Sequence, residues 1–219
     1  MRLMPRPPSE APLLGIEDLA GRRGDRLLFS GLSAAAAAGE ALRLSGPNGC
    51  GKTTALRIVC GLLRPEAGRV RWRGRTVSEP PGDPGWRREL AFVGHHEALK
   101  DTLTPLENLR FARALRGGRA PCLPEEAIER VGLAEERDTL TRELSAGQRR
   151  RAALARLLLD DAVLWVLDEP AAALDRDGTN LVESLCSEHA SAGGALVFTS
   201  HQPLVLASGQ VRELRLGDG

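Results

Sequence analysis

Nine consecutive residues, Gly46-Pro-Asn-Gly-Cys-Gly-Lys-Thr-Thr54, carry the clearest chemistry in the chain. Gly46, Gly51, Lys52 and Thr53 match the spacing G-x-x-x-x-G-K-[ST]. Gly46, Gly49 and Gly51 let the backbone curl, so that the N–H groups of Pro47–Thr54 other than that of proline point inward as an anion cradle at a helix N-terminus. Asn48 and Cys50 lie between the glycines and belong to the same loop. Lys52 is placed to reach the outer phosphates of a nucleotide, and the Thr53 hydroxyl to hold Mg²⁺. Lys52 is one of only two lysines in the chain, the other being Lys100, which lowers the weight of a chance match.

A second group sits far along the chain. Val163-Leu-Trp-Val-Leu-Asp-Glu169 is an apolar run that ends in two acids. A strand buried on both faces reads this way. It would bring Asp168 beside the phosphate loop as a Mg²⁺ ligand and set Glu169 to take a proton from a water. His201 follows another apolar run ending at Thr199, at the end of a strand where open α/β sheets hold their ligands.

The elements that must position these groups alternate between strand-like and helix-like segments, which predicts an α/β fold with parallel strands. Ala41–Ser45, Val70–Arg73, Val163–Leu167 and Ala195–Thr199 read as strands. Lys52–Leu63, Leu106–Leu115, Pro124–Val131, Ser145–Leu159 and Asp175–His189 read as helices. Ser145 and Gln148 have the spacing of a capping box. Pro80–Gly85 reads as a loop. Ala34–Ala38 is made of strong helix formers, yet its place between Gly31 and Gly39 favours a strand.

At 219 residues the chain has room for one domain with a full core. A net charge of +1 excludes a basic nucleic-acid footprint. Of 30 basic residues, 28 are arginine, and there is no tyrosine, which reads as coding bias. The longest stretch without formal charge, His189–Val211, contains glycine, histidine and proline and fails the requirement for a bilayer span. Residues 1–12 read as a frayed tail without a secretory h-region. Cys50, Cys60, Cys122 and Cys186 lack metal-type spacing and read as free thiols. Cys50, next to Lys52 and a helix N-terminus, is expected to be the most reactive of them; the alternative is a small core residue. Arg149, Arg150 and Arg151 read as a solvated helix face, with an interface role as the alternative.

Over nearly its whole length the sequence resembles the ATP-binding cassette ATPases. Leu144-Ser-Ala-Gly-Gln148 looks like the family signature, Ala173-Leu-Asp175 like its D-loop and Ser200-His201 like its switch histidine segment. With the phosphate loop and the acidic strand, these occur in family order. The resemblance implies a P-loop NTPase fold of cassette type, with a mixed, mainly parallel sheet and an inserted helical subdomain. The nucleotide-binding core would comprise residues 13–90 and 161–219, and the helical part 91–160, within a single domain 13–219. It implies ATP and Mg²⁺ as ligands and Lys52, Glu169 and His201 as the catalytic set. Arg23 aligns with an adenine-stacking aromatic, and His96 with a glutamine near Mg²⁺ and the attacking water. Ser145, Gly147 and Gln148 would serve the nucleotide of a second copy, in a head-to-tail, ATP-dependent dimer.

Further segments resemble the ATPase subunits of bacterial haem exporters of cytochrome c maturation: Leu28-Phe-Ser-Gly-Leu32, Gly94-His95, Leu103-Thr-Pro-Leu-Glu-Asn-Leu-Arg-Phe111, Leu164–Pro170 and Thr199–Leu204. This implies integral-membrane partner subunits at the cytoplasmic face of the inner membrane. Hydrolysis would then drive haem export or release of a haem-loaded chaperone. Three other readings stand beside it: the ATPase of a different exporter, a soluble cassette acting mechanically in translation or DNA repair, and a cassette that binds ATP but turns it over poorly.

Overall fold

The computed structural model describes residues 12–77, 84–117, 122–201, 203–207 and 210–217. The tail read over residues 1–12 lies outside them except for Pro12. So does most of the Pro80–Gly85 loop, whose last two residues instead open a short helix.

In chain order the elements are β1 (Leu14–Arg23), β2 (Arg26–Ala36), β3 (Ala41–Ser45), α1 (Lys52–Val59), β4 (Ala67–Trp72), β5 (Arg75–Thr76), α2 (Pro84–Arg88), β6 (Leu90–Val93), α3 (Pro105–Leu115) and α4 (Pro124–Arg130). A 3₁₀ turn (Thr141–Glu143) leads into α5 (Ala146–Leu158), followed by β7 (Leu164–Asp168), α6 (Arg176–Ser191), β8 (Ala195–Thr199) and β9 (Val211–Arg215). The strands form two sheets. One is antiparallel, in the order β2-β1-β4-β5; the other has five parallel strands, β6-β7-β8-β3-β9.

Side-chain parity explains the layering. On β7, Leu164 and Val166 join one core cluster with α1 and the antiparallel sheet. Trp165 and Leu167 join a second cluster with α5 and α6 on the opposite face. The unbroken apolar run of this strand therefore reflects burial on both sides. On β8, Ala195 and Val197 follow the first pattern, Leu196 and Phe198 the second.

The helix α5 has two apolar faces. Ala153, Leu154 and Leu157 pack towards the parallel sheet. Ala152, Ala155 and Leu159 pack with α3 and α4 around Leu109, Ile128 and Leu133. It thus joins the helical cluster to the sheet.

Two segments show local preference overruled. The alanine run continues β2 through Ala36, paired to β1 at Leu14↔Ala36 and Ile16↔Ala34; strand pairing outweighs helix propensity. The helix expected over Lys52–Leu63 ends at Val59, because Gly61 turns the chain with φ 67°. The other helices fall within a residue or two of their expected limits.

Candidate functional site

The phosphate loop spans the gap between β3 and α1. Two of its glycines are required by contact as well as by backbone angle. A Cβ on Gly46 (φ 142°) would lie 2.5 Å from the Leu216 carbonyl, and one on Gly51 (φ 105°) 2.9 Å from Leu28 Cβ. Gly51 caps α1 without a side-chain hydrogen bond, and no acid occupies the first turn, which leaves the helix N-terminus to favour an anion. Lys52 Nζ donates to the carbonyls of Gly46 (2.7 Å) and Pro47 (3.2 Å) across the loop.

Parity then brings in the distant acids. Asp168 shares the α1 face of β7 with Leu164 and Val166, and Thr199 the same face of β8; the two are register partners. Asp168 accepts from Thr53 Oγ1 (2.8 Å) through one carboxylate oxygen and from Thr199 Oγ1 (2.7 Å) through the other. Thr199 Oγ1 accepts in turn from the Glu169 backbone N–H (2.9 Å). This chain fixes the residue after the strand, where Glu169 adopts φ 50°, a left-handed conformation that costs a non-glycine residue free energy and persists only under surrounding constraint.

The Glu169 side chain is mostly buried. Its Oε2 accepts from the His201 N–H (3.1 Å). Its Oε1 is buried without a hydrogen-bond partner and faces the exposed His201 ring at 3.7 Å from Nε2, too far for a hydrogen bond. An acceptor held in this state is ready for a donor such as water.

These groups line one cleft of about 450 Å³. Asn48, Gly49, Gly51, Lys52, Thr53 and Thr54 of the phosphate loop and the start of α1 line it, together with Asp168, Glu169 and His201 and with Arg23, Arg26 and Leu28 from the β1–β2 hairpin. Thr53 and Asp168 offer hard oxygen donors side by side. That set fits Mg²⁺, which takes one or two protein oxygens together with phosphates and water. Among the described residues no cluster of three or more His, Cys, Asp or Glu could hold a metal without such help.

Several expected residues lie elsewhere. His95, not His96, lines the cleft; both rings are exposed and meet edge to face at 5.6 Å, and adjacent histidines cannot be told apart by spacing. Gly46, Pro47 and Cys50 shape the loop without lining the cleft. Cys50 is 8% exposed and packs in the core cluster, so the expectation of a reactive loop thiol gives way to the small-core-residue reading. Ser145, Gly147 and Gln148 lie outside the cleft. Ser145 caps α5, its Oγ accepting from the Gln148 N–H (3.2 Å) while Gln148 Oε1 accepts from the Ser145 N–H (2.8 Å). Gln148 Nε2 also donates to Glu136 (2.8 Å). A Cβ on Gly147 would approach the Ala173 carbonyl at 3.1 Å.

The three arginines after the signature do not form one solvated face. Arg149 pairs with Asp101 and Arg151 with Asp175, whereas Arg150 is buried. Sequence reasoning also missed Thr199, Arg26, Leu28 and His95. For Thr199 a signal existed: it has the parity of Asp168 on a neighbouring buried strand.

Comparison with known proteins agrees with this geometry. A family model described as ABC transporter matches residues 29–172. The cytochrome c biogenesis ATP-binding export protein CcmA of Nitrosococcus oceani is 50% identical over 203 residues, covering 93% of this chain and 92% of that protein. The protein of the same description from Escherichia coli strain K12 is 42% identical over 204 residues, covering 93% and 96%. Among solved structures, an ABC transporter ATP-binding protein from Pyrococcus furiosus matches with a TM-score of 0.77 at 24% identity, covering 92% of this chain and 96% of that one. An ATP-binding cassette solved as a dimer in a post-hydrolysis state, bound to ADP and Pi, matches at 0.76 with 23% identity, covering 93% and 96%. At these identities the two structures speak for the fold alone.

Proposed function

The chain belongs to the ABC transporter family, and from that premise we propose that it is the ATP-hydrolysing subunit of a membrane export complex of cytochrome c biogenesis, energising haem export or the release of a haem-loaded chaperone. The observation that carries hydrolysis is the orphaned Oε1 of Glu169 beside the Thr53–Asp168 pair and the phosphate loop. The 50% identity to a cytochrome c biogenesis export protein supports the physiological setting.

In this reading the loop N–H groups and Lys52 bind the phosphates, Lys52 exchanging its carbonyl partners for the anion. Thr53 and Asp168 would hold Mg²⁺, which would neutralise charge on the phosphates. Arg23 stacks on the base. Glu169 Oε1 accepts the proton of the attacking water, and His201 steadies the γ-phosphate. His95 or His96 lies near that water; the position of His95 in the cleft supports the former. Ser145, Gly147 and Gln148 complete the site of a second copy in a head-to-tail dimer. The helical part, about residues 91–160, and the core then move against each other as the dimer opens. No helix among the described residues is long and apolar enough to cross a membrane, which agrees with peripheral attachment to integral-membrane partners at the cytoplasmic face of the inner membrane.

The test is complementation together with enzymology. In a strain lacking this gene, wild type restores covalent haem attachment to c-type cytochromes, and Glu169→Gln does not, although the variant still binds ATP and its membrane partners. Restoration by Glu169→Gln refutes hydrolysis as the contribution. Normal cytochromes in the deletion strain refute the setting.

A further inference from the structure

Arg150, in the first turns of α5, is 3% exposed. Among the described residues it donates to four carbonyls and to no carboxylate. Nη2 reaches Asp168 O (2.6 Å) and Glu169 O (2.7 Å), Nε reaches Pro170 O (3.1 Å) and Nη1 reaches Gly94 O (2.8 Å). Four of the five guanidinium N–H groups are thereby used. Burial draws its pKa below the usual arginine value, opposed by the negative charges of Glu97, Asp168 and Glu169.

The four carbonyls come from two places that matter. Asp168, Glu169 and Pro170 are the turn that leaves β7, including the residue at φ 50°. Gly94 begins the segment that carries His95 into the cleft. One planar fork binds both, and that fork is mounted on the helix whose N-cap is Ser145. No other cationic side chain of the arginine run does this; its neighbours pair with surface acids. A lysine could not span the same set, because its three donors radiate from a single atom.

We propose that Arg150 is a positioning residue for ATP hydrolysis: it holds the Glu169 backbone in its left-handed turn and ties that turn, and the segment after β6, to the signature end of α5. This rests on the reading of Glu169 as the base. Its consequence is that the signature of one copy, when it meets the nucleotide of the other, is mechanically linked to the base of its own site. Beside the apolar packing of α5 on the sheet, Arg150 supplies the direct hydrogen-bonded link to that turn.

The experiment uses the full chain purified with its membrane partners and compares wild type, Arg150→Lys, Arg150→Gln, Glu169→Gln and the two double variants. Turnover is expressed per nucleotide-binding site, counted by bound ATP. Arg150→Lys is expected to lower kcat by about 10–100-fold, as small misplacements of a reacting group do, with ATP affinity within about threefold. Arg150→Gln, neutral and still able to donate two hydrogen bonds, keeps the protein folded if a buried lysine does not, and is expected to show the same split of kcat from KM. In the Glu169→Gln background neither change is expected to lower the residual rate further, because residues acting as a unit are non-additive. Two results overturn the proposal: an unchanged kcat per site with only a lower Tm, or a loss that multiplies with that of Glu169→Gln. Wild-type turnover in Glu169→Gln alone would instead sink the underlying reading of the base.

Discussion

At the phosphate loop, Thr53, Asp168, Thr199 and Glu169 are bound to one another in a continuous series of hydrogen bonds of 2.7–2.9 Å. At the start of α5, Ser145 and Gln148 are bound to each other and to Glu136, and nothing there touches the cleft. The first region is assembled within one chain, from β3, α1, β7 and β8. The second is an exposed, capped helix end whose nearest described carboxylate partner, Glu136, is held through Gln148. On the proposed reading the two regions would have different partners: a nucleotide for the first, and for the second a nucleotide held by another copy.

The sharpest way to break this contrast is to remove the base from the assembled region. Glu169→Gln is expected to reduce turnover by about 10²–10⁴-fold while ATP binding persists, measured by phosphate release and by equilibrium binding on the same sample. A variant that hydrolyses normally would remove Glu169 from the role of base.

The complementary change strikes the exposed region. Ser145→Asp keeps a helix-capping oxygen but puts a negative charge where the phosphates of the second copy's nucleotide would close over it. A buried charge left without a partner costs about 3 kcal/mol, so the ATP-dependent dimer should weaken roughly 100-fold in light scattering or ultracentrifugation. Binding of ATP to the isolated chain should not move. Loss of monomer binding would mean that Ser145 serves its own cleft.

A pH experiment probes the scaffold beneath the assembled region. His189 stacks on Trp165 of β7, with centroids 4.0 Å apart, and its Nε2 meets the Val163 carbonyl. Burial depresses its pKa to about 4. The folded state holds the ring neutral while the unfolded state takes a proton near pH 6.5, so this contribution is complete above pH 6.5 and declines as pH falls towards 4. Between pH 7.5 and 5 the decline is about 2 kcal/mol, visible as a lower urea midpoint. His189→Phe keeps a stacking ring and should flatten that slope; an unchanged slope would show that the histidine does not carry it.

The smallest effect contrasts buried thiols with a half-buried one. Cys50 lies in the core under the loop, and Cys186 is buried too, its thiol pushed up to about 12. Cys122, before α4, is half-buried, although burial and Glu126 raise its pKa as well. Slow alkylation confined to Cys122, with no protection by MgATP and little change in turnover, is expected in peptide mapping. Labelling of Cys50 that MgATP suppresses would return that thiol to the cleft.

The legible parts of the site were those whose chemistry is set within a few residues. A glycine-rich turn before Lys52-Thr53 needs no knowledge of the rest of the chain. Neither does an apolar strand ending in Asp168-Glu169, nor the Ser145–Gln148 box. The parallel core was legible because doubly buried strands are unbroken apolar runs. What escaped depends on partners distant in sequence. Arg150 looks like Arg149 and Arg151 until the turn after β7 and the Gly94 segment close over it. Cys50 lies inward, its Sγ 2.8 Å from where a Cβ on Gly46 would stand. In the antiparallel sheet β4 and the alanine end of β2 were legible, but β1 escaped because it alternates weakly, β5 because it has two exposed residues, and in the parallel sheet β9 because it is largely exposed.

The position of β3 has a consequence for biosynthesis. This strand delivers the phosphate loop, and among the described residues its sheet neighbours are β8 and β9. Beyond it, Leu216 donates its N–H to the Ser45 carbonyl and buttresses Gly46. All three supports come from the last quarter of the sequence. While a ribosome is still making the helical segment, β3 has nothing to pair with, and long loops must close before such parallel contacts form. Nucleotide affinity is therefore among the last properties the nascent chain acquires. A chain arrested before Val211 should bind no ATP, however faithfully its first two hundred residues were translated.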